Sequence, residues 1–228
     1  MLTPSERRVF EHLAQFVTDH KKQGIERVLG NRTRRVSVVL EDIFQSQNAS
    51  AVIRTCECMG LQEVHIVENI TKYSINPRVL KGANKWMTIR KHASRNENNT
   101  IACVNQLKEN GYRIFALDPD ADGQSIFDVD IASSPIALIF GNELRGLSPA
   151  ALEVCDAKVR IPMYGFTESL NISVSVAICL NTLVSRLRDG GIEMDLSDDE
   201  KDMIRLIWYR KIVRNSSVIE REFLRTIE

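Results

Sequence analysis

Three short segments of the 228-residue chain hold the residues best suited to chemistry. The first, Gln47-Asn48-Ala49-Ser50-Ala51-Val52-Ile53-Arg54-Thr55, carries an amide and a guanidinium six residues apart. In a helix that separation is nearly two turns, which is expected to bring Asn48 and Arg54 toward one side. The second, Gly141-Asn142-Glu143-Leu144-Arg145-Gly146, offers a carboxylate between two glycines. The third runs from Ile161-Pro162-Met163 to Ser169-Leu170-Asn171-Ile172-Ser173 and adds a hydroxyl and an amide. Together they supply donors, acceptors, two carboxylates (Glu143 and Glu168) and two permanent cations (Arg54 and Arg145), a set able to orient a polar ligand and steady an anion. Each segment alone also reads as an ordinary turn, with Asn, Ser and Gly in turn and cap roles.

Other chemistries lack their residues. Gly141 and Gly146 have the spacing of a phosphate-binding Walker loop, but Leu147 stands where lysine is required. No G-x-G-x-x-G follows the first strand, so a nucleotide-dependent oxidoreductase is disfavoured, and no G-x-S-x-G elbow is present. His12, His20, His65 and His92 are isolated, and Cys56, Cys58, Cys103, Cys155 and Cys179 form no C-x-x-C pair. No metal is expected, and the thiols suit a reducing cytosol. No apolar run approaches a membrane span and the N-terminal residues carry no secretory apolar region, so a cytoplasmic protein without a membrane partner is expected.

The elements that must position the three segments alternate. Apolar runs at 36–40, 64–67, 86–90, 112–117, 136–140 and 158–161 read as strands. Helical patterns fill 47–59, 101–109, a short stretch after Ser148, and 172–187. This predicts an α/β fold with a mostly parallel sheet and helices on both faces, the three polar segments lying beyond strand carboxyl ends. Capping boxes at Thr3-Pro4-Ser5-Glu6 and Ser197-Asp198-Asp199-Glu200 open helical extensions at either end. The expected domains are 1–35, an N-terminal helical arm; 36–190, the core; and 191–228, a C-terminal helical tail.

Lysines and arginines balance aspartates and glutamates at 30 each, yet the charge is segregated. Residues 71–95 hold seven basic residues and no acid, whereas 118–156 hold eight acids against Arg145 alone. Residues 1–36 carry eight basic residues against four acids. Clustered cations are what a polyanion binder needs, although charge runs are also simply solvated faces.

In order and spacing, Asn48-x5-Arg54-Thr55, Phe140-Gly141-Asn142-Glu143-x2-Gly146 and Ile161-Pro162-Met163…Ser169-Leu170-Asn171-x-Ser173-Val174 resemble the three motifs of the SpoU/TrmH family of SPOUT RNA 2′-O-ribose methyltransferases. The resemblance covers about residues 36–188, and Gly82-Ala83-Asn84-Lys85-Trp86 looks like a further family segment. It implies S-adenosylmethionine as methyl donor, a deep C-terminal trefoil knot and a homodimer packed through Val174, Ala177, Ile178 and Leu180. It assigns catalytic roles to Arg54, Asn48, Glu143, Ser169 and Asn171, with Arg54 either the base or a positioning group. It assigns the cofactor to Leu117, Gly141, Asn142, Gly146, Ile161, Met163 and Leu170. Leu117 departs from the threonine frequent there, so only a backbone contact would survive. RNA would meet Arg7, Arg8, Arg34, Arg35, Lys81, Lys85, Arg90, Arg186 and Arg188, with Trp86 either stacking on a base or in the core. The two arginines of the tRNA branch appear one position late here, as Arg186 and Arg188, and 41–46 lacks its basic and histidine residues. The implied substrate is tRNA at a D-loop guanosine, with ribosomal RNA, or a catalytically silent RNA-binding role, as alternatives.

Overall fold

The computed structural model describes residues 1–119 and 123–227. Asp120 and Asp122, which add to the acidic stretch, lie outside the described residues. The described residues form two compact units, Thr33–Met194, and Met1–Arg32 together with the chain from Asp195 onward.

The larger unit is built on a sheet of seven strands in the order β3-β2-β1-β6-β4-β7-β5. They are β1 (Val36–Glu41), β2 (Glu63–Val67), β3 (Thr88–His92), β4 (Arg113–Leu117), β5 (Gln124–Ser125), β6 (Ile136–Phe140) and β7 (Ala157–Arg160). Every pairing is parallel. The apolar run of β6 is buried along its whole length, as befits a strand between two others and covered on both faces. Its neighbour β1 is equally buried, with Val36 beside Ile136 and Leu40 beside Phe140.

Strand alternation divides the core. Val38, Leu40, Leu138 and Phe140 pack beneath α3 (Ser46–Cys58) and α7 (Ile172–Asp189). Val39, Val67, Ala137 and Ile139 pack with Cys103, Val104 and Leu107 of α5 (Asn99–Glu109) on the other face. Two short helices, α4 (Pro77–Leu80) and α6 (Pro149–Val154), complete this unit. Leu180, expected in an intersubunit seam, is instead fully buried in the core of its own chain.

Three details differ from the sequence expectation. The strand expected at 86–90 forms at Thr88–His92, because left-handed Lys81 and Gly82 feed a 3₁₀ turn over Ala83–Lys85. Trp86 follows that turn, half-buried. The two-residue β5 and four-residue α4 are too short to show a periodicity.

In the smaller unit, Thr3 and Glu6 close the expected capping box of α1 (Pro4–Ala14). The N-terminal helical stretch breaks at Thr18, whose hydroxyl caps α2 (Asp19–Leu29). Ser197 and Glu200 close the second box, on α8 (Asp198–Ile212), and α9 (Ser216–Ile227) follows. Phe10 stacks on Tyr209 with ring centroids 5.2 Å apart, and Arg205 grips Glu26 through two hydrogen bonds of 2.6 and 2.7 Å. Among the described residues no helix is long and apolar enough to cross a membrane.

Candidate functional site

In an open parallel sheet, ligands collect beyond the strand carboxyl ends where the winding direction reverses. Here that point lies between β1 and β6, and the backbone there is fixed by two buried acids. Glu41 closes β1 and accepts from the backbone N–H and the hydroxyl of Ser148 at 2.9 and 2.7 Å. Asp42 takes a left-handed φ of 51°. Its carboxylate collects the N–H groups of Asn69, Ile70 and Thr71 at 2.8–2.9 Å, and its carbonyl accepts from Asn142 Nδ2 at 2.7 Å.

From that anchor the chain after β6 folds into a tight loop. Asn142 and Gly146 exchange backbone hydrogen bonds of 2.9 and 2.8 Å, and the Asn142 side chain accepts from the N–H of Leu144 and Arg145. A Cβ on Gly141 would collide with the backbone of Gly146 and Leu147, and Gly146 has φ +69°, so both glycines are required by the turn.

The loop aims Glu143 at the start of α3. That helix has Gln45 at its N-cap, with no local side-chain cap. Glu143 reaches this N-terminus from far along the chain, taking the N–H groups of Phe44 and of the N-cap Gln45 at 2.9 and 3.2 Å and Asn48 Nδ2 at 2.9 Å. Burial alone would raise the Glu143 carboxyl. The Asn48 amide and the backbone donors overcome it and hold the group below the usual carboxylate range. Asn48 Oδ1 in turn accepts from Asn171 Nδ2 at 3.2 Å, and Asn171 Oδ1 caps α7 by accepting from Ser173 N–H at 2.9 Å. A single relay, Glu143–Asn48–Asn171–Ser173, therefore ties the three sequence segments together.

The relay borders a cleft of about 670 Å³, a size suited to one small organic ligand. Leu117, Ile161, Met163 and Leu170 contribute apolar side chains to its wall. Gly141, Asn142 and Gly146 line it from the β6 loop, and Asn48, Glu143, Ser169 and Asn171 edge it with polar groups. Gln45, Asp118 and Arg145 line it too and were missed by sequence reasoning. Gln45 carried no local signal, because Ser46 directly precedes the helix expected from 47 and reads as its cap, whereas the helix starts one residue earlier.

Arg54 is the exception. It is exposed on α3 and does not line the cleft. At 100° per residue a six-residue step turns 600°, leaving Asn48 and Arg54 about 120° apart rather than on one side. Buried Asn48 points to the relay while Arg54 faces away from it.

The expected RNA contacts separate into two groups. Arg35 donates to the carbonyls of Ile131 and Ala132, and Arg186 donates to those of Ile126 and Val129. Arg34 and Arg90 both flank Glu63, at 3.7 and 3.2 Å, and Arg7 pairs with Asp202 at 2.8 Å. Arg8, Lys81, Lys85 and Arg188 are exposed.

The sequence profile of the SpoU rRNA Methylase family matches residues 35–181. A protein of Borreliella burgdorferi named tRNA (guanosine(18)-2′-O)-methyltransferase is 44% identical over 91% of this chain and 93% of its own. The Thermus thermophilus protein of the same name is 32% identical over 85% and 98%. The crystal structure of the Aquifex aeolicus TrmH/SpoU tRNA modifying enzyme matches with TM-score 0.76 and 28% identity, covering 86% of this chain and 98% of that one. With most of its length matched by the profile and by near-full-length relatives, the chain belongs to the SpoU methylase family.

Proposed function

We propose that this chain is an S-adenosylmethionine-dependent methyltransferase that forms 2′-O-methylguanosine at guanosine 18 in the D-loop of tRNA, acting in the cytoplasm as a homodimer. The relatives named tRNA (guanosine(18)-2′-O)-methyltransferase support the substrate. The observation that carries the reading is the Glu143–Asn48–Asn171 relay on the rim of the strand-end cleft.

The cleft suits the cofactor's chemistry. S-adenosylmethionine, when bound, supplies an electrophilic methyl group on sulfur. It bears no phosphate, and the cleft has no phosphate-cradling lysine loop; it has an apolar wall and a tight glycine turn along one side. Leu117, Ile161, Met163 and Leu170 would hold the adenosine, and Gly141, Asn142 and Gly146 its polar edges. A trefoil knot formed by threading the segment after β7 belongs to this reading. It is supported by β7 pairing with β4 rather than β6, and by residues 161–171 sharing one cleft with 141–147.

At the ribose, the 2′-hydroxyl is a weak nucleophile whose proton must be taken or shared. A guanidinium is a poor base, since its pKa above 12 makes deprotonation at neutral pH cost about 7 kcal/mol. Charged Arg54 instead grips the target phosphate, aligns the ribose and favours the developing alkoxide. Glu143, Asn48, Ser169 and Asn171 hold the ribose and the methionine end in register. The segment 1–35 and the basic stretch 71–95 bind the surrounding RNA, and 191–228 forms the tail.

The test is incubation with labelled S-adenosylmethionine and separate pools of tRNA and ribosomal RNA, followed by mapping of the modified ribose. Label at guanosine 18 of tRNA is the expected result. Label confined to ribosomal RNA would overturn the substrate, and absence of transfer to either pool would overturn the activity.

A further inference from the structure

The relay and the strand-end cleft leave unused a cluster of soft ligands on the opposite sheet face, under α5. His65 of β2 and His92 of β3 meet there, with His65 Nδ1 3.0 Å from His92 Nε2. Cys103 of α5 completes the group, and the two ring nitrogens and the sulfur lie within 4.8 Å of one another. His65 and Cys103 are almost wholly buried, at 2% and 0% exposure, while His92 is only half-buried and leaves a path from solvent.

We propose that His65, His92 and Cys103 form a binding site for one zinc-type divalent ion that clamps the edge strand β3 and helix α5 onto β2. The donor set selects the metal class. Two imidazole nitrogens and a thiolate suit Zn²⁺ or Co²⁺, whereas Mg²⁺ and Ca²⁺ demand oxygen ligands. Tetrahedral Zn–N bonds of about 2.0–2.1 Å set two imidazole nitrogens roughly 3.3 Å apart, so the rings need open by only a few tenths of an ångström. A Zn–S bond of about 2.3 Å sets nitrogen and sulfur roughly 3.6 Å apart, so from separations of up to 4.8 Å the Cys103 side chain closes by about 1 Å on binding.

The surroundings provide the support that metal-bound histidines use. Glu63 Oε1 stands 3.1 Å from Nε2, the other ring nitrogen of His65. That nitrogen is buried without a formed hydrogen bond, so the present contact is oblique and electrostatic. A carboxylate in this place fixes the tautomer that leaves Nδ1 free to bind a cation. Binding balances simply: the proton shared between the rings moves to His92 Nδ1, Cys103 releases its thiol proton to solvent, and the ion accepts three lone pairs. A fourth position remains for water. The three residues are 27 and 11 apart along the chain, which is why no local ligand spacing announced them.

The probe is Co²⁺ added to the full-length protein after chelator treatment and removal of the chelator. One ion per chain is expected, with near-ultraviolet thiolate-to-cobalt absorption and visible bands of tetrahedral cobalt, both erased by added Zn²⁺. Cys103→Ser should abolish the thiolate band and His92→Gln should weaken binding by roughly tenfold or more, with unchanged circular dichroism. Cys58→Ser, at an exposed cysteine, should retain the full spectrum. Zn²⁺ should also raise the thermal midpoint of the parent protein and not that of Cys103→Ser. The proposal is overturned if the parent binds no Co²⁺, or if Cys103→Ser and His92→Gln keep its spectrum and affinity.

Discussion

Glu143 does two jobs with one carboxylate: it caps α3 and orients the Asn48 amide. In Glu143→Gln one acceptor oxygen becomes an amide NH2 donor, which faces a backbone donor or Asn48 Nδ2. Losing a cap and a charged acceptor costs about 1–2 kcal/mol, and methyl transfer should fall with it. The pH dependence has a definite sign. The native carboxyl lies below its ordinary value of 4.5. Its contribution to stability is therefore complete above that value and is lost as pH falls through the native one. Thermal midpoints of parent and variant should differ most at neutral pH and converge in acid; a constant gap would detach the cap from the charge. Gly141→Ala tests the turn instead. Its methyl meets backbone, which cannot rotate away, so S-adenosylmethionine affinity measured by calorimetry should drop by at least about tenfold, equivalent to roughly 1.4 kcal/mol.

At the scale of elements, β6 bears the site because it pairs with β1 on one side and β4 on the other. Leu138 is fully buried at its centre. Leu138→Ala should cost about 2–5 kcal/mol in denaturant unfolding, since a cavity there loosens both flanks of the strand-end cleft. This strand was legible in the sequence because five consecutive apolar residues admit few other placements, and β1 was legible from Val36, Val38, Val39 and Leu40 with only Ser37 among them. Helix α7 was legible from its apolar period and its stop at Gly190. What escaped was set by contacts between distant positions. Glu143 capping α3 joins residues 95–99 apart, and nothing local to either partner encodes the match. The direction of Arg54 needed only helix geometry, yet the residue count suggested two turns where the angle says otherwise. Arg35 and Arg186 read as RNA ligands because a guanidinium in sequence carries no sign that carbonyls of 126–132 will claim it.

At the scale of the whole molecule, zero net charge coexists with a basic stretch free of acids. Phosphate contacts release counterions, so each lost contact lowers the slope of log affinity against log salt by about 0.7–0.9. Arg78 and Lys81 are exposed, and replacing both by alanine should flatten the tRNA-binding slope by about 1.5. An unchanged slope would move the RNA elsewhere. The proposed homodimer bears on the most awkward residue. Arg54 lies outside the cleft of its own chain, while Leu144, Tyr164 and Phe166 near that cleft are exposed apolar residues, at 81%, 96% and 107%. A second copy covering this rim would hide them and deliver Arg54 of the partner subunit to the ribose. Mixing inactive Arg54→Ala with inactive Asn171→Ala distinguishes the two routes. Random exchange makes half the dimers mixed, and each then holds one cleft with an intact relay facing an intact arginine, so about a quarter of parent activity should return. If Arg54 served its own cleft, a mixed dimer would carry one defect in each site and the mixture would stay silent.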